Sequence, residues 1–125
     1  MDACQLIINS GIPILNQTVL LKGINDDVDV LINLFRKLIG IKVKPHYLFH
    51  VDPVKGVEHF ATGINSGLNI IREFRSRLSS IAVPHFAIDL PGGGGKVSLQ
   101  PNYMRDNGFL TIDGRKTVQY YPQTY

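Results

Sequence analysis

A single cysteine, Cys4, stands among the 125 residues, so this chain alone builds neither an internal disulfide nor a thiol metal cluster or redox pair. A reducing compartment, the cytoplasm, fits that usage. No apolar run approaches the ~18 residues that a membrane-spanning helix needs. No block of about five like charges occurs either, which leaves membrane and nucleic-acid surfaces without their usual electrostatic footprint. The 13 Lys and Arg against 10 Asp and Glu give a formal charge of +3, and they are scattered. The opening MDACQLIINSGIPILNQ lacks a basic region ahead of an apolar stretch with a small-residue cleavage site, so it is no secretory signal. It starts directly in a helix, and the chain therefore reads as a piece of something longer. No repeat of roughly 20 to 50 residues is visible, and the glycine run is the only low-complexity segment.

The elements that are present alternate. The pattern predicts a helix from Ala3 to about Asn9, stopped by Ser10-Gly11, then a strand over about 15–21. Asn25 or Asp26 caps the next helix, in which Val28, Leu31, Phe35 and Leu38 recur at helical spacing until Gly40. IKVKPHYLFH reads as a strand with Ile41, Val43, Tyr47 and Phe49 on one face, placed at an edge or bulged at Pro45, which lacks a backbone donor. A third helix is expected over about 65–80, with Leu68, Ile71, Arg75 and Leu78 along one side, and PHFAIDL is a further strand. Strand and helix in alternation give βαβ units. Asn107-Gly108 and Asp113-Gly114 are hairpin signals, so a small antiparallel appendage is expected at the end. Residues 1–100 thus read as the α/β part and 101–125 as a hairpin extension.

In parallel α/β architectures ligands gather at the carboxyl ends of the strands. That rule selects Asn25, Asp26, His50, Asp52, Asp89, the run Gly92, Gly93, Gly94 and Gly95, and Lys96, with Gln17 on the first strand. Successive glycine amides can cradle an anion. Yet IDLPGGGGKVSL is not a P-loop, because Leu90 occupies the first glycine position and Val97 follows the lysine. Lys96 as an amine nucleophile beside a phosphate cradle describes pyridoxal phosphate; a flexible surface loop with a solvated lysine is the competing reading. Asp52 and Asp89 together suit an ammonium group, although either alone is ordinary as a turn residue. His46, His50, His59 and His85 do not have metal-ligand spacing.

Taken in order, LNQTVLLKGINDD, KVKPHYLFHVDPVKGVEHF, AVPHFAIDLPGGGGKV and PNY resemble the C-terminal part of the lysine 2,3-aminomutase family, from about Ala3 to Tyr121. The resemblance implies the last units of a partial (β/α) TIM-like barrel of radical S-adenosylmethionine type. It implies that Lys96 carries pyridoxal phosphate, that Asp52 and Asp89 bind the ε-ammonium of L-lysine, and that Gln17 lies near S-adenosylmethionine. It implies an isomerase: a 5′-deoxyadenosyl radical made on a [4Fe-4S] cluster removes hydrogen from carbon 3, and the amine migrates from carbon 2 to give β-lysine. The partners implied are the missing N-terminal half of the enzyme and further copies in a homo-oligomer.

Departures are equally legible. The cluster motif C-x-x-x-C-x-x-C is absent, Asp27 stands where some members carry a zinc cysteine, and FHVD replaces the usual QCD context around Asp52. The 125 residues alone are therefore expected to be inactive. A degenerate binding or assembly module of the same fold, or another phosphate-binding α/β protein, is the alternative.

Overall fold

Apolar side chains at helical spacing meet apolar side chains at strand spacing on one face of a sheet, and this contact organises residues 2–120, which the computed structural model describes. Helix α1 (Ala3–Asn9) is followed by strand β1 (Ile14–Leu20), helix α2 (Val28–Gly40), strand β2 (Val43–His50), helix α3 (Ile64–Arg77) and strand β3 (His85–Leu90). β1, β2 and β3 are parallel neighbours with α2 and α3 as their crossovers, the two expected βαβ units. Strand β4 (Gly95–Leu99) then returns antiparallel along β3, where the sequence pattern predicts no strand. The chain is thus mixed α/β.

Leu31 and Phe35 of α2 and Ile71 and Phe74 of α3 pack on Leu20, Leu48 and Phe86 of the three parallel strands, all at most 1% exposed. Phe35 and Phe74 meet edge to face at 5.3 Å. Each such burial contributes about 1.5–3 kcal/mol, so this one layer of contacts is the main stabilising feature. Gly67 brings α3 close to the sheet, since a methyl group there would overlap the ring of Phe86.

Three expectations need correction. Asp27 caps α2, accepting from the amides of Asp29 and Val30 at 2.8 and 3.0 Å. Asn25 and Asp26 are occupied in closing the preceding loop: Asn25 bonds the Leu21 amide and the Val19 carbonyl, and Asp26 bonds the Gly23 amide. The expected face of β2 is broken. The register of β1 against β2 slips between Asn16/Pro45 and Gln17/Tyr47, leaving His46 as an extra residue. Val43, Pro45 and Leu48 consequently face the helices, while Tyr47 and Phe49 point to the other side, and Ile41 precedes the strand. Pro45 is bulged, as one alternative had it, but in an interior strand rather than at an edge. Helix α3 ends at Arg77, because Leu78 turns extended (φ −113°, ψ 152°) and a 3-10 turn at Ser80–Ala82 leads into β3.

The appendage is a separate three-stranded antiparallel sheet of β5 (Met104–Arg105), β6 (Gly108–Leu110) and β7 (Thr117–Val118). Its first turn falls at Asp106-Asn107, one residue ahead of the Asn-Gly signal, and Gly108 is already in the strand opposite Arg105. Gly114 lies in the second loop at φ 74° and packs on Arg72 of α3, which seats this sheet against the helix. Residues 121–125 of the expected extension, and Tyr121 at the end of the resemblance, lie outside the described residues. No described helix is long and apolar enough to cross a membrane.

Candidate functional site

The helices cover one face of the main sheet. On its other face the alternation of each strand lines up Leu15, Gln17 and Val19 of β1, Tyr47 and Phe49 of β2, and His85, Ala87 and Asp89 of β3, with Lys96 of β4 opposite Asp89. Cross-strand partners share a face, so Asp89 and Lys96 stand side by side. The Lys96 Nζ lies 4.8 Å from the ring centre of Tyr47 and 4.7 Å from that of Phe49, two rings stacked 5.1 Å apart. A cation over two aromatic faces is held without being neutralised. Lys96 has no carboxylate within salt-bridge distance among the described residues.

Beyond the carboxyl ends of β2 and β3 lies a cleft of about 310 Å³ with Asp52 and Asp89 in its lining. Glu58 joins them, its carboxylate accepting from the Gly56 amide at 2.8 Å. Val51, Ile64, Ile88 and Leu90 supply apolar wall. Three acidic residues thus contribute to the lining of a recess whose surface is mostly apolar. The structure therefore brings Asp52, Asp89 and, through register, Lys96 to one end of the sheet, although Lys96 itself does not line the cleft.

The glycine run forms the hairpin turn between β3 and β4. Gly92, Gly93 and Gly95 have φ of 64°, 78° and 84°, while a side chain at Gly94 would meet the Cβ of Leu90 at 2.7 Å. Turn geometry alone thus requires glycine at all four positions. The positions of Gly92, Gly93 and Gly95 open onto free space, so their backbone remains approachable.

Gln17 lies in β1 in register with Tyr47, on the same face as Lys96. Nε2 of His50 is 2.8 Å from the Thr62 carbonyl, which can only accept, so the imidazole proton sits there and His50 fixes the loop after β2. No group of three metal-ligating side chains occurs among the described residues. Glu58, Tyr47 and Phe49 are the site residues that sequence reasoning missed. The signal for the two aromatics was the bulge at Pro45, which inverts the alternation after it.

Residues 71–111, which include Asp89, the glycine turn and Lys96, match the family model described as Lysine-2,3-aminomutase. The chain is 58% identical over 104 residues to the "Putative L-lysine 2,3-aminomutase" of Aquifex aeolicus (strain VF5), covering 83% of this chain and 28% of that protein. It is 46% identical over 102 residues to the L-lysine 2,3-aminomutase of Clostridium subterminale, covering 82% and 24%. It is also 42% identical over 107 residues to a glutamate 2,3-aminomutase of Clostridioides difficile (strain 630), covering 86% and 25%. The chain spans about a quarter of the length of these curated relatives.

Proposed function

The chain belongs to the lysine 2,3-aminomutase family as a C-terminal part, and from that premise we propose that it supplies the substrate-binding and pyridoxal-phosphate-binding end of an isomerase. The reaction is the conversion of L-lysine to L-β-lysine by a radical S-adenosylmethionine enzyme. The observation that carries this reading is that Asp52 and Asp89 line one cleft beyond the carboxyl ends of β2 and β3, with Lys96 in register opposite Asp89.

Asp52 and Asp89 hold the distal ammonium of the substrate, and the apolar wall takes its methylenes. Fixing the far end of a flexible chain sets which carbon is presented for reaction. The same carboxylates repel a distal carboxylate, so lysine is favoured over the glutamate on which one relative is named to act. Lys96 fits as the covalent anchor of pyridoxal phosphate, being an amine free of carboxylate pairing with two aromatic rings beside it. Gly92, Gly93, Gly94 and Gly95 form the adjoining backbone for its anionic group. When bound, the cofactor supplies a conjugated system that delocalises an unpaired electron next to the migrating nitrogen. Gln17, on the same face, is assigned to S-adenosylmethionine.

The iron-sulfur cluster does not fit here. A single half-buried thiol, Cys4, cannot replace three cysteine ligands, so no step through a cluster is ascribed to these residues. The cluster belongs to the rest of the enzyme, whose strands would continue this sheet into a (β/α) barrel. Borohydride reduction in the presence of pyridoxal phosphate tests the site directly. Peptide mapping is expected to find one pyridoxyl adduct, on Lys96, that Lys96→Arg removes. Labelling spread evenly over other lysines, or none on Lys96, refutes the assignment.

A further inference from the structure

Directly opposed residues of an antiparallel pair have Cβ atoms about 4.5–5.5 Å apart, close enough for opposite charges to meet. Lys96 and Asp89 are opposed in this way, yet no carboxylate is within salt-bridge distance of the Lys96 ammonium among the described residues. The amine reaches past β3 to β2 instead, where Nζ stands 4.7 Å from the ring centre of Phe49 and 4.8 Å from that of Tyr47. We propose that Tyr47 and Phe49 are positioning residues: their rings hold the charged Lys96 off Asp89 and so reserve that carboxylate for the distal ammonium of the substrate. The inference rests on the function proposed above and adds a role for two side chains that it leaves as neighbours.

The two rings are stacked, 28° apart in plane and 5.1 Å apart in centre, so Nζ sits at the seam of two π faces. One ring contact with an ammonium is worth about as much as one exposed ion pair, and here two act against one. The route is also open. A side chain crossing from β4 to β2 on this face passes His85, Ala87 or Asp89 of β3, and Ala87 is the short one, in register with Phe49 on one side and Ser98 on the other. Ala87 is 0% exposed although it faces away from α2 and α3, so neighbouring side chains close over it. The bulge at His46 supplies the pair of rings, because without the extra residue the alternation would turn Tyr47 and Phe49 toward the helices. Left unheld, Lys96 would compete with substrate for Asp89, since a tethered cation acts at an effective concentration in roughly the millimolar range.

Proton–carbon spectra of the 125-residue chain read this arrangement directly, because a methylene beside two ring faces is shifted upfield. The ε-methylene of Lys96 is expected well upfield of those of the other lysines, and to stay there in Tyr47→Phe, Phe49→Tyr and Asp89→Asn. In the double variant Tyr47→Leu, Phe49→Leu it should return to the ordinary position. Both rings are half-buried on the face away from the core cluster, so the main layer of contacts remains, which the same spectra report. A double-variant cycle of Asp89→Asn and Lys96→Gln in urea unfolding then measures the ion pair. No coupling is expected in the parent chain, and a coupling of about two- to fivefold in the unfolding equilibrium is expected in the leucine background, where the amine falls back on Asp89. An ordinary ε-methylene shift in the parent chain, or equal coupling in both backgrounds, would overturn the proposal. Neither measurement uses pyridoxal phosphate, so a missing borohydride adduct and a missing ring contact are separate failures.

Discussion

Asp52 and Asp89 are exposed, and neither side chain has a hydrogen-bonding partner among the described residues. Their charge is therefore available for a ligand, and removing it should leave folding intact. Each charge-assisted contact is worth about 1.5–3 kcal/mol, so Asp52→Asn or Asp89→Asn in the assembled enzyme should raise KM for lysine roughly 10- to 100-fold, and the double variant should lose turnover. Steady-state kinetics on lysine checks this, and an unchanged KM in both variants would reject the ammonium role. Asp27 works in the opposite sense, through folding. Its carboxylate satisfies two amides at the start of α2, and Asp27→Ala should cost about 1 kcal/mol in urea unfolding. At this scale the sequence was poor about caps. Three adjacent residues, Asn25, Asp26 and Asp27, have competing side chains, and only loop closure decides which one caps.

At the scale of elements, the period of each helix and the order of the parallel strands were legible, because hydrophobic spacing encodes both. What failed was continuity within an element. The extra residue at His46 shifts the phase of β2, so Tyr47 and Phe49 lie away from the core and under Lys96. β4 was hidden because the run of glycines reads as a cradle, while its left-handed turn needs β3 to return on itself. The contact of α3 with β3 gives a direct test. Phe86 is 1% exposed and cannot yield to a methyl group at position 67. Overpacking of about 1–3 kcal/mol outweighs the gain of about 0.5–1 kcal/mol in helix propensity, so Gly67→Ala should lower stability by about 1–2 kcal/mol on chemical unfolding.

The second sheet has its own acid-sensitive joint. The Thr111 hydroxyl, at 2.6 Å, and then the Arg115 amide, at 3.1 Å, hold the Asp113 carboxyl below its ordinary value. A carboxylate so depressed stabilises the fold above the unfolded value of about 3.9 and loses that contribution as pH falls through the lower folded value. Amide spectra of the 111–116 loop should thus change below about pH 4, and Asp113→Asn should remove that step.

For the molecule as a whole, the uncovered face is the feature that demands explanation. Parallel strands occur almost only in sheets covered on both faces, yet here Leu15 and Val19 are 52% and 40% exposed opposite the helices. β1 is also a sheet edge, with nothing paired on its far side among the described residues. Both conditions are met if further strands continue the sheet and close it over this face, consistent with relatives about three times as long. That face carries Gln17, Lys96 and Asp89, so closure would exclude water from the surface proposed to bind substrate and cofactor. The 125-residue chain given pyridoxal phosphate, S-adenosylmethionine, iron, sulfide and a reductant should therefore form no β-lysine, since one cysteine cannot hold the cluster and nothing closes the face. Lys96 should still be trapped by borohydride, because its geometry comes from β3, β4 and the rings of β2. Joined to a segment that supplies three cluster cysteines and the remaining strands, the chain should form β-lysine and protect the outer amides of β1 from hydrogen exchange. Turnover by the chain alone, or outer β1 amides that exchange equally fast in the joined and separate states, would show that its working surface lies elsewhere.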